Sequence, residues 1–102
     1  MVVYAQDAWL LPPMESPVTG HANIRPRYET LFSRFNPEIE GHIDDVCVSG
    51  ALGFVRGHNS GRMQGRNGQP SRPVDDVYLM IVKLEADQRW RISQLMWHPP
   101  SK

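Results

Sequence analysis

The sequence predicts an α+β fold, one helix packed on a single curved antiparallel sheet, and three observations carry that prediction. Ile24, Tyr28, Leu31, Phe32 and Phe35 recur at spacings of three and four, the signature of one helical face. After residue 38 the apolar period changes to two. Four long strand-like segments then follow one another, separated by glycine- and turn-rich stretches.

In chain order, residues 8–12 read as a short strand stopped by Pro12 and Pro13, because proline offers the ladder no N–H. "MESPVTG" is a turn-rich connector. The helix begins near His21. Pro26 implies either an irregular first turn or a regular helix starting near Arg25, and Asn36-Pro37 ends it. Residues 39–48 form a strand whose apolar positions shift from odd (Ile39, Ile43) to even (Val46, Val48), which predicts a bulge near Asp44 and Asp45. A second strand runs from about Leu52 to Gln64, its far half interrupted by glycines. "GRNGQPSRP" is a loop or a hairpin tip. Residues 74–84 are rich in β-branched and aromatic side chains and make the central strand, and 89–97 return antiparallel to them.

The chain of 102 residues, 40% hydrophobic and 22% charged, is sized and composed as one globular domain, 1–102. Eleven basic residues balance eleven acidic ones, so no net field draws the chain to nucleic acid or to an anionic membrane. The arginines at 56, 62, 66 and 72 have no aromatic residue after Phe54 to stack bases, and they read as a solvated hairpin tip, the alternative being an anion or partner contact. A single cysteine, Cys47, cannot form an internal disulfide, and no apolar run approaches the roughly 18–20 residues of a membrane span. The expectation is a soluble cytoplasmic protein. Cys47, among apolar neighbours in a strand, reads as a core filler rather than a nucleophile.

His21, His42, His58 and His98 lack metal-ligand spacing, and "GRMQGRNG" lacks the lysine of a phosphate loop, so neither metal nor cofactor is expected. In the last strand Trp90 and Met96 share a face by alternation, opposite Trp97. Tryptophan and methionine on an outer sheet face point to an interface, and the expectation is a homo-oligomer, most simply a dimer.

The stretches "YAQDAWLLPP", "PVTGHANIRPRYETLF", "VSGALGFVRG" and "VYLMIVKLEADQRWRISQLMW", in that order, resemble the SnoaL-like, nuclear transport factor 2-like cone-fold superfamily over essentially the whole chain. The resemblance implies a sheet curved around helices into a cone, an apolar pocket within it, and frequent dimerisation through the outer sheet face. It also leads to an expected departure: the family begins with one or two N-terminal helices, on the order of 25–30 residues, and the first helix is expected to be missing here. The apolar surface it covers is worth several kcal/mol at roughly 25 cal/mol per Å², so another chain is expected to cover it.

By this resemblance the pocket-facing set is Phe54, Arg56 and His58, then Asp76, Tyr78, Met80 and Val82, then Ser93, Leu95 and Trp97, with Leu10 and Pro12 from the first strand. Two readings stand side by side. In one, His58 and Asp76 are a catalytic acid/base pair and Arg56 holds an anionic group, while Phe54, Tyr78, Met80, Leu95 and Trp97 bind the ligand. In the other, Arg56 and Asp76 are a structural ion pair and His58 sits at a solvated rim. Isomerase, cyclase or hydrolase-like activity fits the family. Steroid-isomerase chemistry does not fit these residues, because Pro12 and Met80 stand where the family's isomerases carry carboxyl groups. The functional expectation is a small-molecule-binding protein taking a modest apolar ligand with a polar or anionic group. The alternative is a non-catalytic protein-protein assembly module.

Overall fold

Tyr4–Leu11 form strand β1, and Pro12 and Pro13 end it as their missing N–H groups require. The computed structural model describes residues 3–99. Val18–Thr19 fold back on β1 as a two-residue strand, β2, within the segment expected to be only a connector. Gly20, at φ 79°, turns the chain into the helix, and its N–H donates to the Ala8 carbonyl at 2.8 Å. Helix α1 spans His21–Arg34 with Pro26 inside it. The helix is continuous from His21 because the bond lost to Pro26 frees the carbonyl of Ala22, an exposed residue that water can reach.

Four long strands follow: β3 (Phe35–Ser49), β4 (Leu52–Gly65), β5 (Arg72–Leu84) and β6 (Trp90–His98). The sheet order is β2-β1-β6-β5-β4-β3. The hairpins are antiparallel as predicted, and β4 runs unbroken through its glycines. The sheet is nevertheless mixed, because β6 lies parallel to β1. Three successive hairpin reversals after the helix return the chain to β1 in β1's own direction, which alternation within strands does not reveal.

Two bulges set the faces. Ile43 opposes Gly57 and Asp45 opposes Arg56, leaving Asp44 as the extra residue where the apolar pattern shifts. Ile39, Ile43, Val46 and Val48 therefore all lie on one face. In β6, Gln94 opposes Ile81 while Ile92 opposes Val82, so Ser93 is extra. That second bulge moves Trp90 across from Leu84, on the Val82 and Ile92 side, and separates it from Met96, correcting the expectation that the two share a face.

The core is small and lies at one end. Tyr4, Ala5, Ala8, Leu10 and Ile24 form its buried cluster, with Val18, Tyr28, Ile92, Leu95 and Trp97 packed on it. Helix α1 meets β1, β2 and β3. It seats Ile24 against β1, and His21 Nε2 bonds the Tyr4 carbonyl at 2.8 Å. Beyond the helix, β3 and β4 extend as an arm. The radius of gyration is 14.5 Å, against about 13 Å for a compact chain of this length. Cys47, expected in the core, is exposed on this arm because no element covers it.

Candidate functional site

A cavity of about 650 Å³ lies between α1 and the face of β4, β5 and β6 that the helix covers in part. Its lining is mostly apolar: Leu31 from the helix, Met63 from β4, Met80 from β5, and Ile92, Leu95 and Trp97 from β6. Cross-strand pairs share a face, so the register fixes who lines it. Tyr78 pairs with Trp97 and Met80 with Leu95 across β5 and β6. On the other side of β5, Asp76 pairs with Asn59 and Tyr78 with Gly57.

The polar groups differ in how far they are committed. The Tyr78 hydroxyl crosses over Gly57 and donates to the His42 carbonyl at 3.2 Å. Tyr28 shares a hydrogen bond with Tyr4 at 2.7 Å, and burial, reinforced by Tyr28, drives the Tyr4 phenol far above its ordinary range. Arg27 lies 5.5 Å from the Trp97 ring centroid and donates to Glu15 at 2.8 Å. Arg72 lies over the Phe35 ring at 4.6 Å. Asp76 has no hydrogen bond or ion pair among the described residues. Burial first, then the charge of Asp75, raises its carboxyl above the usual carboxylate range, with His98 opposing.

The structure brings Asp76, Tyr78, Met80, Leu95 and Trp97 together in this cavity. It places Phe54, Arg56 and His58 on the opposite face, because they pair with Ile81, Leu79 and Val77. The sequence assignment of β4 is thus one residue out of register, and a slip of one reverses every side chain. Neither the His58–Asp76 acid/base pair nor the Arg56–Asp76 ion pair forms. His58 instead donates from Nδ1 to Asp44 at 2.7 Å and stacks on His42 at 4.6 Å, and Arg56 lies 3.8 Å from Asp45. Phe54 borders a shallow groove with Cys47, Leu52 and Ile81. Of the remaining predicted lining, Leu10 is wholly buried in the core, Pro12 is buried, Ser93 is the bulge residue, and Val82, though paired with Ile92, lies outside the cavity.

Sequence reasoning missed Asn59, Met63, Arg72, Tyr28 and Arg27, all of which line the cavity. A signal for the β4 pair was present. Gly53, Gly57, Gly61 and Gly65 recur every fourth residue, hence on one face of β4. A side chain at Gly57 would meet the Tyr78 hydroxyl and the His42 carbonyl. Glycines collect on the concave face of a bent strand, where side chains crowd, and that places Asn59 and Met63 inside. Among the described residues, no group of three or more histidine, cysteine, aspartate or glutamate side chains is placed to hold a metal ion.

No protein-family model matches the sequence, and no curated protein matches it. Solved structures do match. A ketosteroid isomerase-like protein from Erwinia carotovora atroseptica SCRI1043 superposes with a TM-score of 0.87 at 19% identity, covering 99% of this chain and 78% of that one. A conserved protein from Planctomyces limnophilus DSM 3776 gives 0.85 at 16% identity, covering 96% and 77%. A nuclear transport factor 2-like superfamily protein from Salmonella enterica serovar Typhimurium LT2 gives 0.81 at 13% identity, covering 98% and 74%. At these identities the likeness is one of fold. Strand order, helix placement and cavity together give this chain the nuclear transport factor 2-like, SnoaL-like cone fold.

Proposed function

We propose that this protein binds a small, largely apolar molecule carrying one polar group in the cavity between α1 and β4–β6. The observation that carries the reading is the composition of that space: about 650 Å³, walled by methionine, leucine and aromatic side chains, with a few polar groups converging on it. Small-molecule sites have this size and make-up. In this reading Asp76, a cavity-lining carboxyl group, exchanges a proton with the ligand, and Pro12 and Met80 contribute none. His58 and Arg56 take no part, being on the other face. The test is a panel of small apolar alcohols, amides and acids titrated against tryptophan fluorescence. Quenching that survives Trp9→Phe and His58→Ala but is lost in Trp97→Phe supports the cavity. Absence of binding across the panel refutes it.

A second reading, assembly through the sheet, is favoured by surface area. The chain exposes 6945 Å², against roughly 5,900 Å² for a monomeric protein of its mass. The excess is on the order of what one partner hides in a standard interface, about 800 Å². On the face away from α1, Trp9, Val77, Leu79 and Met96 are 39–48% exposed and lie on the adjoining strands β1, β5 and β6. A second copy covering this patch gives a dimer, the tryptophan of the patch being Trp9 rather than Trp90. Light scattering at micromolar concentration should show twice the 11.7 kDa chain mass, and Leu79→Asp should halve it. A wild-type monomer refutes the dimer.

A further inference from the structure

The geometry points to Asn59 and Asp76 as a two-point receptor for a neutral carboxamide or lactam group, an inference that rests on the cavity reading above. The two residues are direct cross-strand partners on β4 and β5, so their Cβ atoms stand about 5 Å apart on the cavity face. Neither side chain has a hydrogen bond among the described residues, whereas Tyr78, Tyr28 and Arg27 beside them are all engaged. Asn59 occupies the room above its other cross-strand partner, Gly41, where a built Cβ would come within 3.3 Å of its Oδ1. A side chain at Gly41 would make the Asn59 amide give way by a few tenths of an ångström.

The pair offers complementary chemistry. A side-chain amide has two N–H donors and a carbonyl acceptor, and a carboxylate accepts. An amide ligand can give its N–H to Asp76 and take the Asn59 N–H on its carbonyl. A carboxylate ligand cannot, since it would set a second anion against Asp76.

The charges around the cavity agree. Its charged lining consists of Glu15, Asp76, Arg27 and Arg72, two of each sign, and Arg27 is already paired with Glu15. The lining carries no net positive charge, and its remaining cation, Arg72, lies over the Phe35 ring. Met80 lies four residues along β5 from Asp76, roughly 13 Å away at strand rise. The apolar body of the ligand extends in that direction.

The test compares 1-adamantanecarboxamide with 1-adamantanecarboxylate by calorimetry on the whole chain at neutral pH. The amide should bind at least about tenfold more tightly, one charge-assisted hydrogen bond in affinity terms. Asn59→Ala and Asp76→Ala should each weaken the amide by about fivefold or more, and Asp76→Ala should strengthen the carboxylate. Arg56→Ala, on the opposite face of β4, should leave the preference unchanged. Carboxylate binding as tight as the amide in the wild-type protein, a result independent of any variant's folding, overturns the inference. So does amide binding unaffected by either alanine variant, or binding of neither compound. The broader panel, with its dependence on Trp97, decides the cavity reading separately.

Discussion

The two ends of this sheet are built from similar residues and end in different states. Around β1 and β6, Leu10 and Ile24 are sealed at 0% exposure between helix and sheet. On β3, Ile43, Val46 and Val48 occupy the same face with the same alternation, yet are 53–66% exposed. The difference is cover, not sequence pattern: α1 reaches only the start of β3, where Phe35 is buried. The bare end is held by its backbone ladder and by a row of exposed pairs on the other face: Arg62–Glu38 at 2.9 Å, His58–Asp44 at 2.7 Å, His42–Glu40 at 3.3 Å and Arg56–Asp45 at 3.8 Å. Exposed pairs of this kind contribute little, whereas a fully buried leucine or isoleucine contributes about 1.5–3 kcal/mol. Stability is therefore concentrated at one end, and charge on the edge strand helps keep the other soluble.

The largest expected effect follows directly. Ile24→Ala and Leu10→Ala should each cost about 2–5 kcal/mol, the range for emptying a packed apolar site. Val48→Ala should stay within about 0.5 kcal/mol, as for exposed positions. Urea unfolding midpoints measure both. A Val48→Ala cost matching that of Ile24→Ala would show that the β3 end is covered in solution, and its concentration dependence would show whether a second copy covers it.

A smaller effect is expected at the seam between the two ends. Gly57 lies beneath Tyr78, and a methyl group there would run into the Tyr78 ring and the His42 carbonyl. Gly57→Ala should cost about 1–3 kcal/mol, the usual range for overpacking. Tyr78→Phe keeps the ring and loses only the bond to the His42 carbonyl, so Gly57→Ala should remain costly in that background. Substantial rescue by Tyr78→Ala would locate the clash in the side chain rather than the backbone.

How much of this was legible in the sequence depends on which neighbour each residue answers to. The helix, the four long strands and the β3 bulge were legible because periodicity is local: Ile39 and Ile43 against Val46 and Val48 announce the shift at Asp44. The parallel pairing of β1 with β6 was not, since it joins residues more than 80 apart in the chain. The assignment of faces agrees with the cavity lining at Asp76, Tyr78 and Met80 on β5 and at Leu95 and Trp97 on β6, where alternation is unbroken. It failed on β4, where Arg56 and His58 attracted attention by their chemistry while the glycines at 53, 57, 61 and 65 carried the information about the face. Trp90 was misassigned because nothing local in "RWRISQLMW" marks Ser93 as the extra residue.

The smallest expected effect sets one aspartate against another across the sheet. Asp44, on the bare end, is held below the usual carboxylate range first by the His58 hydrogen bond and further by the charges of His58, Arg56 and His42. A depressed folded value means the unfolded chain takes up the proton first. The contribution of Asp44 is therefore present above the unfolded value of about 3.9 and is lost as pH falls through the lower folded one. Asp76, in the cavity, is raised by burial and by Asp75, so the folded chain takes up the proton first. Its effect has the opposite sign: stability is lost as pH rises from the unfolded value through the raised folded one. Unfolding midpoints from about pH 3 to 7 should then separate two variants. Asp76→Asn should gain over the wild-type protein at neutral pH, with the gain vanishing in acid. Asp44→Asn should lose at neutral pH, with the loss vanishing in acid. Differences of the same sign in the two variants would mean that Asp76 has a stabilising partner in solution, and the two-point receptor would lose its free carboxylate.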